Sequence, residues 1–298
     1  RNASRASARP RTRPRVITSA TWAIAVPLVI GPERAASIVP RSAPIFAATV
    51  GAGARLGQVY EDLQDHGLTI PGGTCPSVGV AGLTLGGGLG ILGRTYGVTS
   101  DRLIGAEIVL ADGGILQCDE HHHEDLFWAL RGAGAGNFGV VTALVFQAVP
   151  APDATNFHLA WPFSRAGAVI QAWQRWAPTG PDELAASLKI TAGGDLDRPP
   201  AVDVYGALLG GTRADASELV EELVGRVGSD AIPAALIPMT YPQTRKFWAE
   251  LGDADAMATP AEEVWLYSRS EFFGRPLPGE AVAAEFVPGG DGPDVGGY

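Results

Sequence analysis

Lysine is nearly missing from this chain. Of the 22 basic residues only Lys189 and Lys246 are lysine, and 32 acidic residues leave a formal net charge of −10. That balance argues against a nucleic-acid-binding surface. The arginine excess reads as a bias toward GC-rich codons, not as phosphate recognition. Cysteine is almost as scarce. Cys75 and Cys118 are the only two and no CxxC pair is present, so the 298 residues carry no disulfide framework. The apolar stretch Val16–Ile30 is too short and too mixed to span a membrane, and Pro27 interrupts it. A P-loop is absent: GxxxxGK[ST] does not occur and no lysine lies near either glycine cluster. Gly86–Gly90 only approximates GxGxxG, and no acidic residue follows at the distance a ribose needs, which disfavours a Rossmann site.

Glycine, by contrast, is abundant. Eight of the twenty residues in Pro71–Gly90, PGGTCPSVGVAGLTLGGGLG, are glycine. Such density disfavours an ordinary helix or strand. It permits positive φ and close backbone approach to a ligand. Val78, Val80, Leu83, Leu85 and Leu89 are interleaved with the glycines, which a solvated linker would lack. The stretch therefore reads as a cradle whose backbone N–H groups hold a phosphate-bearing ligand; a flexible linker is the alternative. Cys75 lies inside it. Cys118, in GILQCDE, reads as a small buried hydrophobe.

The length allows one large domain or two. Residues 1–15 carry six arginines and no acid, and the apolar stretch follows. This order suits either a secretory signal or a disordered start leading into a first strand. Spacing predicts a strand from Phe46, a helix over Leu56–His66 ended by Gly67, and a short strand at LTIPGG. It further predicts strands Leu103–Leu110 and Ile115–Cys118 around a turn, a helix Glu124–Arg131, a second glycine cluster at 132–139 and a strand Val140–Val149. Pro150–Asp153 marks a boundary. Beyond it come a strand Phe157–Phe163, a helix Ala166–Ala177 capped by Ser164, strands Leu184–Thr191 and Ala201–Leu209, and a helix Thr212–Val227. That order predicts an antiparallel sheet with helices on one face. Residues 240–298 are poorly patterned, and 287–298 read as a disordered tail.

Five ordered blocks carry a specific resemblance: Gly72–Gly90, Arg94–Gly97 with Ser100–Asp101, Val109–Gly113, Asp125–Gly132 and Gly136–Thr142. Together they resemble the berberine bridge enzyme-like FAD-linked oxidoreductases, which have a PCMH-type FAD-binding domain and belong to the vanillyl-alcohol oxidase superfamily. The resemblance implies an α+β protein: an N-terminal segment over 1–45, an FAD-domain core over 46–150 and a partial substrate domain over 151–286. It implies FAD contacts at Gly72, Gly73, Thr74, Cys75, Val78, Gly79, Gly82, Leu83, Gly88, Tyr96, Gly139 and Val141. It also implies a thioether from Cys75 to C6 of the flavin, which a backbone-tight loop could support.

Two departures limit the transfer. Family members often carry an upstream histidine that bonds to the flavin 8α-methyl. Here His66, His121, His122, His123 and His158 are the only histidines, and the equivalent region falls within residues 14–26. Family chains also continue past this length, so the resemblance implies a chain incomplete at both ends, and no catalytic base carries over. The implied activity is an oxidase: hydride passes from an alcohol, sugar or specialised metabolite to flavin N5, then to O2 as H2O2. The alternative is a truncated remnant with weak or no flavin binding. The expected partners are a small-molecule substrate and O2, with neither nucleic acid nor membrane. The chain reads as cytoplasmic, with secretion as the alternative. The His121–His123 run reads as a solvated turn, because consecutive side chains diverge. His158 and Tyr205 read as residues facing away from an apolar sheet face, either satisfied within the sheet or turned toward the flavin.

Overall fold

The computed structural model describes residues 46–134, 136–191, 201–229, 231, 235–253 and 278–284. The basic start with its apolar stretch and the turn-rich tail lie outside the described residues. The chain forms two compact units. One runs to Gly90 and resumes over Tyr96–Pro150; the other takes Ile91–Thr95 and the chain from Ala151 onward.

The first unit opens with β1 (Ala47–Gly51), α1 (Leu56–Gln64) and the two-residue β2 (Leu68–Thr69). Leu56, Val59, Tyr60 and Leu63 are spaced for one helical face, and all four are buried. A short helix, α2 (Val80–Leu85), follows; the chain then passes through a single turn, α3 (Gly93–Tyr96), whose first three residues belong to the second unit. Then come β3 (Leu103–Val109), β4 (Ile115–Asp119), α4 (Glu124–Leu130), β5 (Val140–Gln147) and β6 (Val149–Pro150). The main sheet is antiparallel in the order β1-β5-β3-β4, while β2 pairs separately with β6. One face of the main sheet sends Val50, Ile108, Cys118, Leu144 and Phe146 into the core, where α1 and α4 add Leu63 and Phe127. The strand expected over Val140–Val149 breaks at Ala148. Its amide turns to the Phe46 carbonyl (2.7 Å), freeing Val149 to pair with Thr69.

The second unit contains β7 (Ala154–Pro162), α5 (Ala166–Trp176), β8 (Leu184–Thr191), β9 (Ala201–Leu209), α6 (Arg213–Val227), β10 (Leu236–Met239), α7 (Tyr241–Asp253) and α8 (Gly279–Ala284). Its sheet is antiparallel, in the order β10-β7-β9-β8. Phe157, Leu159, Trp161, Val202 and Val204 pack with Val169, Ile170 and Trp176 of α5 and Val220 and Leu223 of α6. The expected cap at Ser164 is not used: a 3-10 turn over Phe163–Arg165 leads into α5, and Arg165 holds the N-cap position. Thr212 does cap α6, accepting from the Asp215 amide at 3.3 Å, and Gly228 closes the helix at φ +69°. α7 lies against the opposite sheet face. Asn156 Nδ2 donates to Thr244 Oγ1 (2.8 Å), Trp248 Nε1 donates to Asn156 Oδ1 (3.3 Å), and Tyr205 meets Trp248 edge-on with ring centroids 5.1 Å apart.

Asp119, at the end of β4, sets up the turn into α4. Its Oδ1 accepts from the amides of His121 (2.8 Å) and His122 (2.9 Å) and lies 3.0 Å from His122 Nδ1. Burial raises the Asp119 pKa, but the hydrogen bonds from His121 and His122 outweigh it and hold the carboxyl below its ordinary range. A depressed folded-state pKa gives stability above the unfolded value, lost as pH falls through the folded value. Asp119→Asn should therefore unfold at lower urea than the parent at pH 7. The gap should close as pH drops below about 4, the ordinary carboxylate range.

Candidate cofactor site

The glycine-rich stretch is pinned at both ends. On the entry side, β2 pairs with β6, Ile70 is buried, and the Tyr60 hydroxyl donates to the Gly73 carbonyl at 2.9 Å. On the return side, a bridge joins Arg55 to Gly79: the Leu56 amide donates to Val78 O (2.9 Å) and the Val80 amide to Ala54 O (3.0 Å). The Gly57 amide also donates to Pro76 O at 3.0 Å. Between these anchors, the amides of Gly73, Thr74 and Cys75 donate to no protein acceptor among the described residues. Cys75 is exposed at the tip.

The run then does what its composition disfavours and forms α2. Only Gly82 falls inside that helix, and Thr84 Oγ1 folds back onto Val80 O at 2.7 Å. Beyond α2, Gly88 sits at φ +85°, where a β-carbon would stand 2.7 Å from Thr99 Cβ. The Gly88 carbonyl accepts from the Thr99 amide (3.0 Å) and the Gly87 carbonyl from Ser100 (2.8 Å). Gly90 backs directly onto Gly72, and a β-carbon there would collide with the Gly72 carbonyl. The second glycine cluster meets the first: the Gly134 amide donates to Leu85 O (2.8 Å), and Arg131 Nε donates to Ser100 O (3.2 Å).

A loop with three amides that meet no protein acceptor among the described residues, and with an exposed thiol at its tip, fits a phosphate-bearing cofactor with a reactive ring. Residues 44–119 match the family described as FAD binding domain. The FAD-linked oxidoreductase YgaK of Bacillus subtilis is 43% identical over 146 residues, covering 48% of this chain and 32% of YgaK. Over this stretch the chain is similar to FAD-linked oxidoreductases. Glucooligosaccharide oxidase from Acremonium strictum superposes with a TM-score of 0.61 at 33% identity, covering 68% of this chain and 42% of the oxidase. A berberine bridge enzyme-like protein of Physcomitrella patens gives 0.60 at 28% identity, covering 68% and 43%. The chain thus spans from 32% to 43% of the length of these relatives. The Acremonium oxidase is described with a 6-S-cysteinyl, 8α-N1-histidyl FAD.

In this chain Gly72, Gly73, Thr74, Cys75, Val78, Gly79, Gly82, Leu83 and Gly88 all lie on the one pinned stretch. Tyr96 stands apart on α3, with the Arg102 guanidinium 5.5 Å from its ring centroid and Arg102 Nε donating to its carbonyl at 2.8 Å. Gly139 lies against the Val109 carbonyl. Val141 pairs with Ile108 and buries its side chain in the core, leaving only its backbone for a ligand. Its neighbour Val140 is 69% exposed, and Leu89, in the cradle, is 67% exposed. The sequence reading singled out neither as a contact, although strand alternation puts Val140 opposite Val141.

Cys118 is buried, its thiol pushed up to about 11 chiefly by burial and further by the Asp119 charge, against a bond to the Ala106 carbonyl. It stays protonated and unreactive at neutral pH. His121, His122 and His123 are exposed in the turn before α4, and no metal-binding cluster occurs among the described residues. His158 Nε2 lies 2.9 Å from Asp203 Oδ1 on the sheet face away from the apolar core. No helix among the described residues is long and apolar enough to cross a membrane.

Proposed function

We propose that this chain holds FAD on the Gly72–Gly90 stretch and serves the oxidation of a small molecule: an alcohol, a sugar or a specialised metabolite. The observation that carries the reading is the loop pinned by Tyr60 and Gly79, with the Gly73, Thr74 and Cys75 amides meeting no acceptor among the described residues. Bound FAD would supply a hydride acceptor at N5 and, once reduced by the substrate, the two electrons that convert O2 to H2O2. The chain's own part is to bind and orient the cofactor. Backbone at Gly72, Gly73, Thr74, Val78, Gly79, Gly82, Leu83 and Gly88 would line it, with Tyr96, Gly139 and Val141 as further contacts. Cys75 is the proposed point of covalent attachment. Similarity to glucooligosaccharide oxidase supports a sugar as substrate.

Titration with FAD, followed by flavin fluorescence and gel filtration, tests the reading. One FAD should co-elute per chain, and adding a reducing oligosaccharide in air should release H2O2. A chain that retains no FAD would overturn the proposal and leave a non-catalytic remnant.

A further inference from the structure

The cradle leaves the core of the first unit at the peptide joining Gly73 to Thr74. Pro71 and Gly72 are buried, Gly73 and Thr74 are half-buried, and Cys75 is exposed. Tyr60 meets this peptide from the core side. Its side chain is buried and shares one face of α1 with Leu56, Val59 and Leu63. Its hydroxyl donates to the Gly73 carbonyl at 2.9 Å. Glycine at 72 makes room for that approach, because a β-carbon there would stand 2.6 Å from Tyr60 Oη.

The Gly73 carbonyl and the Thr74 amide belong to one planar unit, and no cis peptide occurs among the described residues. In a trans peptide the C=O and the N–H point in opposite directions. Holding the Gly73 carbonyl toward α1 therefore turns the Thr74 amide away from α1. That amide meets no protein acceptor among the described residues. The accepted hydrogen bond also polarises the peptide and makes its N–H a stronger donor. The next bonds along the chain are those from the Val78 amide to Cys75 O (3.4 Å) and from the Gly57 amide to Pro76 O (3.0 Å). They fall two and three peptides later and do not set this plane. We propose that Tyr60 is a positioning residue for the cofactor: by holding the Gly73 carbonyl it aims the Thr74 amide at an acceptor atom of FAD. The inference rests on the reading that this stretch binds FAD.

Two full-length variants test it. Tyr60→Phe removes the hydroxyl and keeps the ring. Val59→Ala is the control, because it trims the same buried face of α1 and leaves the hydroxyl in place. In amide NMR spectra of the chain without FAD, the Thr74 resonance should move in Tyr60→Phe and hold its place in Val59→Ala. The FAD dissociation constant should rise at least ~5-fold in Tyr60→Phe and stay within about 2-fold of the parent in Val59→Ala. Parental FAD affinity in Tyr60→Phe would overturn the proposal, and so would a Thr74 resonance that does not move. An equal loss of affinity in Val59→Ala would overturn it as well, since general loosening of α1 would then explain both. A parent chain that takes up no FAD would sink the FAD reading instead, and the Thr74 resonance alone would then decide whether Tyr60 sets the peptide.

Discussion

Replacing Cys75 by alanine should move all flavin colour from the acid-precipitated protein to the supernatant. The parent, loaded with FAD, should give a yellow pellet. The thiol is exposed at the tip of a loop held by the Tyr60–Gly73 bond and the Arg55–Gly79 bridge. The rival thiol, Cys118, is buried in the core on β4, and its pKa of about 11 keeps it protonated. The Acremonium oxidase is described with both a cysteinyl and a histidyl link, and the Cys75 substitution tests the cysteinyl one. Absorbance of pellet and supernatant decides the matter. A pellet still yellow in Cys75→Ala would mean attachment elsewhere; a colourless parent pellet with yellow supernatant would mean non-covalent FAD.

Gly90→Ala should produce the largest loss of stability of any single methyl added in the cradle. The new carbon would meet the Gly72 carbonyl, which is main chain and has no rotamer in which to retreat. Overpacking of this kind costs about 1–3 kcal/mol, and because the obstacle is backbone the upper end is expected. Gly53→Ala is the matched control, since no heavy atom lies within 4 Å of its added carbon. Urea midpoints should show Gly90→Ala well below the parent and Gly53→Ala near it. Equal midpoints for all three would mean that the two arms of the loop part readily.

Parts of this architecture were legible because burial follows a period. The residues of α1 at 56, 59, 60 and 63 announce a helix, and the alternation of Phe157, Leu159 and Trp161 announces β7. α7 was not legible. It presents Thr244 and Trp248 to a buried asparagine, so polar pairing replaces the apolar stripe that sequence reading looks for. α2 was hidden because glycine density was averaged over twenty residues, whereas VAGLTL contains one. The cradle itself was visible in its glycines and its cysteine. Arg94 lay in a recognised block, yet its partners follow 83 to 90 residues later, and no local pattern predicts them. Val140 and Val141 differ only in which face of β5 each takes, a parity that the turn before them decides.

The assignment of Ile91–Thr95 to the second unit has a consequence for anyone dividing or recombining this polypeptide. Pro150 looks like a natural seam, but a fragment ending there would carry Ile91 and Leu92 stripped of the surroundings that bury them, and the Arg94 guanidinium with no carbonyls to hold. The complementary piece would be left with the bare acceptors of Ala177, Gly180 and Leu184. Chimeras joined at residue 150 should therefore be productive only when residues 91–95 and the 177–184 turn come from the same parent.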